Sequence, residues 1–324
     1  MPGPTLDLAR EAISHDEQSV TAEFIAFLKA ASAARHPAGA IRRFNQARAS
    51  GCVEAEFTVG TGLADELKVG LFQQPRSYSA WIRFANATSS SDREKDVRGM
   101  SIKVRGVRGD NLTRGGDVQD FVLNSYPVMM VPGPRDFLEL LRAVEAAGWR
   151  RARYFLTHPR AARIAFASRQ HPSSHLEIPY WSTTPYLFGD GRAVKYSVRP
   201  VSRAQPRQPT VTDTYLHDEL RARLSREDVA LDFCVQFQTD ARAMPIEDAS
   251  VEWSARDSPY VRVAEVRIPR QSLDVPGREQ LCERTSFNPW NALAVHRPLG
   301  AMNRVRRAIY ESMQQFRDSH TVRA

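Results

Sequence analysis

The sequence predicts an α+β fold: a closed antiparallel β-barrel of about eight strands with flanking helices. Three observations carry that reading. Short segments rich in β-branched and aromatic residues recur in two groups, at 52–131 and 192–269, separated by Gly, Asp and Ser loops. Stretches of helical periodicity precede, separate and follow the two groups. No internal repeat, low-complexity tract or domain linker divides the chain, so one barrel with helical additions accounts for every element.

Taken in order, residues 1–35 form a helical segment in which SVTAEFIAFLKAASAAR puts Phe24, Phe27 and Leu28 on one face. HPAG breaks that helix and opens a single domain over 36–324. CVEAEFTV, SAWIRFA, MSIKVRGV and DFVLNSYPVMMV read as strands. GVRGDNLTRGG is glycine-rich but lacks the strand–glycine–helix order of a nucleotide loop, and reads as a hairpin loop. PRDFLELLRAVEAAG is a helix with Pro at its start and Gly past its end. Residues 150–180 are polar and rich in His and Arg, helical in part before turning to loop. His171 and His175 have i, i+4 spacing, but Pro172 and two serines between them point to a surface loop and not a metal pair. RAVKYSVRPV, ALDFCVQFQT, ASVEW and YVRVAEVRIP return to strand, with the helix YLHDELRARLS between the first two. FNPWNALAVHRPLG is extended, and AMNRVRRAIYESMQQFR is a final amphipathic helix.

Across its 324 residues the chain has 45 Lys+Arg against 37 Asp+Glu, a formal net charge of +8. Such a balance suits nucleic acid or an anionic membrane. The arginines are scattered, with no aromatic-interleaved basic tract and no nucleic-acid module. A solvated arginine surface, with some arginines buried against an anionic ligand, is the expectation. Cys52, Cys234 and Cys282 are odd in number, far apart and without a CxxC. That argues against a disulfide scaffold or a zinc site and suits a reducing compartment. The N-terminus has no basic and apolar leader pattern, and no stretch approaches 18 apolar residues, so no membrane span and a cytoplasmic location are expected.

Arg306 and Tyr310 lie four residues apart in the last helix, so a guanidinium and a phenol share one helical face. A fixed cation beside a phenol favours the ionised form, a hard anionic ligand of the kind that holds haem iron.

Several segments together resemble the catalase family and its smaller catalase-related haem peroxidases. WIRFANATSSSDREKDVRGMSIKV is similar to the family's VRFS…D…RGFAVKF run, QDFVLNSYPVMMV to its DLVGNNTPVFF segment, and FNPWN to its FSPAN turn. RVRRAIYESMQQFR has the R-x-x-x-Y-x6-R frame of the proximal helix. The matches run in family order from about 43 to 317, while 140–280 agrees only in strand pattern. The resemblance implies a haem b site. In it Tyr310 would be the iron ligand, Arg306 its charge partner, and Arg43, Arg83 and Arg317 the propionate-binding arginines. Asn124 would be the distal amide and Phe137 the ring packed near the haem. Arginine suits propionates because its planar fork binds a carboxylate bidentately and stays charged. Larger relatives form tetramers; here a homodimer is expected.

One departure bears on the chemistry. The family's distal R-x-x-H-A-K-x-x-G frame aligns with RFNQARASG, which puts Gln46 in the histidine place. A rival alignment uses His36 in HPAG at the cost of about ten extra residues before the first strand. The distal serine position is Ala85. A neutral imidazole can take a proton from one peroxide oxygen and return it to the other; a carboxamide can only hydrogen-bond. The expectation is a haem-dependent oxidoreductase that uses hydrogen peroxide or an organic hydroperoxide on a small organic or lipid-like substrate, and is a poor true catalase. An allene-oxide-synthase-like enzyme is the alternative, although Asn45 stands where those enzymes have threonine. A non-catalytic haem-binding or sensor protein is another, and a barrel without haem a third.

Overall fold

Most strands of the barrel are buried on both faces along most of their length, because helices and loops cover its outside. The computed structural model describes residues 7–37, 41–46, 48–113, 116–201 and 211–321. Residues 1–6 of the predicted helical segment and Ala38 and Gly39 of the HPAG break lie outside the described residues, and 7–16 are turn and loop, so the helix of that segment begins only at Glu17. The chain runs α1 (Glu17–Arg35), β1 (Ala49–Val59), β2 (Ser77–Asn86), β3 (Arg98–Arg105), β4 (Val118–Asn124), then α2 (Pro134–Ala146), α3 (Gly148–Thr157) and α4 (Pro159–Ser168). Next come β5 (Tyr180–Trp181), β6 (Tyr186–Leu187), β7 (Ala193–Pro200), α5 (Tyr215–Leu224), β8 (Val229–Phe237), β9 (Val261–Ile268), α6 (Arg278–Arg284) and α7 (Ala301–Thr321).

In β1, Val53, Ala55, Phe57 and Val59 face inward while Glu54, Glu56 and Thr58 are exposed, the period of two that one buried face requires. Antiparallel pairings β1–β2–β3–β4–β5–β7–β8–β9–β1 close eight strands into the predicted barrel, with β6 added on β7. The interior is filled by aromatic rings: Phe121 lies 4.6 Å from Phe233 and 4.9 Å from Tyr196, and Phe57 lies 5.0 Å from Phe233. The barrel is therefore a packed core, and any ligand site must lie outside it.

Four expectations change. ASVEW is not a strand, nor is the YPVMMV end of the fourth one; Met129 N–H donates to Ala249 O, and Ala249 N–H to Pro132 O, so the two segments pair as loops. The closing strand is instead the two-residue β5, too short for a periodic signal. His175 is fully buried, stacked 5.2 Å from Phe84, and only His171 stays on the surface. Cys52 and Cys282, 230 residues apart, form a disulfide between β1 and α6 with Cα atoms 5.9 Å apart. Folding supplied a proximity that spacing could not, and the cysteine argument for a reducing compartment falls with it. No described helix is long and apolar enough to cross a membrane.

Candidate functional site

The site grows from the register of three strands. Arg83, Ser101 and Val122 stand opposite one another across β2, β3 and β4, and Ala85, Gly99 and Asn124 form the next row on the same outward face. Intervening residues, Ile82, Phe84, Met100 and Ile102, go to the core. Helices α1, α2 and α7 pack together through Phe24, Leu28, Leu138, Val305 and Met313. Between them and the strand face lies a cavity of about 370 Å³.

All eight residues singled out from the sequence line this cavity: Arg43, Gln46, Arg83, Asn124, Phe137, Arg306, Tyr310 and Arg317. On α7, Arg306, Tyr310, Met313 and Arg317 follow the 4-3-4 spacing of one helical face. Arg306 Nη2 donates to Tyr310 Oη at 3.1 Å, and Nη1 donates to Asn303 Oδ1 at 3.1 Å. Burial opposes the charge on Arg306, but the phenols of Tyr310 and Tyr186 outweigh it and hold the guanidinium above its ordinary value. Phe137 packs its ring edge-on to Phe24 at 5.8 Å.

Gln46 lines the cavity and His36 does not; the His36 ring bonds Ser32 O at the end of α1. Gln46 sits at φ 55, a left-handed backbone held by N–H donation to Ala87 O at 2.8 Å and by Arg83 Nη2 donating to its carbonyl at 2.7 Å. Its carboxamide lies over Gly99, where a Cβ would meet Gln46 Cδ at 2.6 Å. Glycine at 99 thus leaves the opening that the glutamine occupies. Neither the Gln46 nor the Asn124 carboxamide makes a hydrogen bond among the described residues. Every charged residue in the described lining is an arginine; it holds no histidine and no carboxylate.

Three of those arginines crowd one end. Arg43 donates to Glu283 Oε2 at 2.8 Å and to Thr285 O at 2.8 Å. Arg83, 2% exposed, reaches Glu283 Oε1 at 3.5 Å and leaves its buried Nε without a partner. Burial, and then the Arg43 charge, push Arg83 down to about 10. Arg317 is lowered by the same two causes. Arg43 and Arg83 share the one partly exposed Glu283 carboxylate, and the buried Arg83 Nε still has no acceptor. A flat ligand with two carboxylates and an atom that accepts a phenolate fits this donor set, and haem is such a ligand.

Sequence reasoning missed several contributors. Ser101 and Val122 share the Arg83 row, a placement only the strand register reveals. Buried Asn303 orients Arg306 and is itself fixed by donation to Pro185 O and Leu299 O. Asp120, paired with Lys103 at 2.7 Å, accepts from Asn288 N–H and Asn291 Nδ2 and so anchors the FNPWN turn whose Phe287 lines the cavity. Among the described residues no group of three or more His, Cys, Asp or Glu side chains could hold a bare metal ion.

No family model and no curated protein sequence matches the chain. Solved structures do. A fungal catalase superposes with a TM-score of 0.68 at 15% identity, over 88% of this chain and 61% of that one. A bacterial catalase gives 0.65 at 15%, over 98% and 64%. Catalase A from Saccharomyces cerevisiae gives 0.68 at 15%, over 98% and 68%. The chain thus spans under two thirds of the length of the first two. At this identity the likeness establishes the architecture: the chain has the catalase-like fold.

Proposed function

We propose that the protein is a haem-dependent oxidoreductase that acts with hydrogen peroxide or an organic hydroperoxide on an organic substrate, and that it is a poor true catalase. The observation that carries this reading is the meeting, on one cavity, of Tyr310 bonded by Arg306 with the crowded Arg43, Arg83 and Arg317. When bound, haem b would supply an iron centre at which the peroxide bond is activated. Tyr310 would hold the iron as its phenolate, with Arg306 balancing the charge. Arg43, Arg83 and Arg317 would take the propionates, relieving the mutual repulsion of their charges. Phe137 would pack against the macrocycle.

On the strand face, Gln46 and Asn124 would orient a bound peroxide by hydrogen bonds. Neither carboxamide titrates near neutral pH, so neither can carry a proton between the two peroxide oxygens. General acid–base help of this kind is worth roughly 10²–10⁴-fold. Cleavage or rearrangement of an organic hydroperoxide without a proton shuttle suffers no such handicap. Phe24, Leu28, Leu141, Met302 and Ile309 in the helical wall would pack against the macrocycle on the Tyr310 side, and the allene-oxide-synthase-like variant of the reading rests on the absence of a proton shuttle at Gln46.

Protein supplied with haem should show a Soret band that responds to cyanide and is lost in Tyr310→Phe. Retention of an unchanged band in that variant overturns the ligand assignment. Gln46→His should raise hydrogen peroxide turnover by ~10²–10⁴-fold. Wild-type turnover already at the level of an ordinary catalase would refute the role given to Gln46. A stable Soret band with no turnover of any peroxide would favour the sensor reading.

A further inference from the structure

The arginines are not spread evenly once the chain is folded. Between Glu145 and Glu177 there are six arginines and no Lys, Asp or Glu, against a net charge of +8 for the whole chain. Arg150, Arg151, Arg153, Arg160, Arg163 and Arg169 lie on or beside α3 and α4, and all six are exposed. Among the described residues none of them is in an ion pair. Arg160 is tied by one hydrogen bond, to Ser250 O at 2.9 Å.

The same face carries large apolar side chains in water. Trp149 is 66% exposed, Leu156 82% and Phe166 85%. Trp149, Arg153 and Leu156 follow the i, i+4, i+7 spacing of one side of α3, and Arg163 and Phe166 stand three apart on α4. The opposite side packs inward: Tyr154 and Ala161 join Val131 and Leu140 in a buried cluster beside Phe137 and Met130. Phe137 and Met130 line the cavity, so this face is one layer of side chains from it.

We propose that the α3–α4 face docks on the surface of an anionic phospholipid bilayer, with Trp149, Leu156 and Phe166 at the headgroup–acyl boundary and the surrounding arginines against lipid phosphates. Guanidiniums interleaved with Trp, Leu and Phe are the composition that holds a helix in that interface. A symmetric contact between two copies would set these uncompensated charges against themselves. A nucleic acid would answer the charges but leave Leu156 and Phe166 without a matching surface. The proposal goes beyond the haem reading and does not need it. With both in place, the cavity would draw its substrate from acyl chains.

The test is flotation of the full chain with phosphatidylcholine vesicles, with and without phosphatidylglycerol. Retention is expected on the mixed vesicles and should fall steeply with added salt. Arg150→Gln and Arg163→Gln should each weaken it roughly fivefold. Leu156→Ser combined with Phe166→Ser should abolish it although every charge remains. Trp149 is the one exposed tryptophan among the described residues, so its emission should shift blue on vesicles, and Trp149→Phe should remove that shift. Failure to bind anionic vesicles overturns the proposal, as does binding that survives the double Ser variant. So does tighter binding to nucleic acid than to vesicles, or a dimer that the double variant dissolves. An unchanged circular dichroism spectrum and Soret band in each variant keep this result separate from folding and from the haem reading.

Discussion

A glutamine facing a cavity whose charged groups, among the described residues, are all guanidiniums is the residue-scale fact on which the proposed chemistry turns. Its position depends on what is missing at Gly99, because a Cβ there would fall on the Gln46 carboxamide. Gly99→Ala is expected to push the Gln46 carboxamide aside into the cavity at little cost in stability, because the atoms a Cβ would meet are the unbonded end of that flexible side chain. Denaturant melts of Gly99→Ala should therefore lie close to those of the unaltered protein; a large loss of stability that Gln46→Ala reverses would show that the side chain cannot move aside. Arg83 argues the other way round. Burial and the neighbouring Arg43 charge disfavour its ionised form, so in the empty protein it is a cost. Arg83→Met should weaken haem uptake followed by the Soret band with little change in apo melting temperature, because relief of burial and of the Arg43 repulsion is set against the lost bond to Gln46 O. A fall in apo stability together with normal uptake would contradict that division of roles.

At the scale of elements, α7 carries the site and α1 closes it. Phe24 and Leu28 of α1 are cavity wall, and α1 is strapped to α7 by charge. Arg304 donates to both Glu17 oxygens, at 2.8 and 2.7 Å, to Glu11 at 2.5 Å and to Glu247 at 3.1 Å. Burial opposes its charge, but hydrogen bonds to Glu17, Glu247 and Glu11 outweigh this and hold the guanidinium firmly protonated. Arg304→Met would leave three carboxylates facing one another and should cost roughly 2–3 kcal/mol. Amide exchange should rise first in α1 and the preceding turn; uniform loss of protection would mean that Arg304 supports the whole fold and not the strap. On the other side, the Cys52–Cys282 disulfide fixes α6 to β1, and Glu283, the next residue, is the carboxylate shared by Arg43 and Arg83.

For the molecule as a whole, two fully buried imidazoles couple stability to pH. Burial lowers His175 to about 3 and His296 to about 4, with His175 lowered further by Arg98. Below an unfolded value near 6.5 the unfolded chain binds protons that the folded chain refuses. Stability is therefore full above about pH 6.5 and falls as pH drops toward 4, by about 1.4 kcal/mol per pH unit for each imidazole. His296→Gln should roughly halve that slope in melts followed from pH 7 to 5, and a flat wild-type profile would mean that these rings are not held neutral.

Local patterns made much of this legible in the chain. Arg306 and Tyr310 are four apart on one helix, so helical periodicity puts both on one face, and Arg83 and Asn124 lie in segments whose β-branched and aromatic residues mark them as strands. Short segments rich in β-branched and aromatic residues also imply the barrel. What no local pattern holds is distance between remote segments. The row that joins Arg83 to Ser101, the seat of Gln46 over Gly99, the two-residue β5 and the disulfide spanning 230 residues follow from how strands register and helices pack. The same holds for the α3–α4 face, whose residues read as a polar stretch until one side of each helix turned to the core. Side-chain direction is set within a few residues of sequence, whereas proximity is set by the packing of the whole chain, and a site needs both.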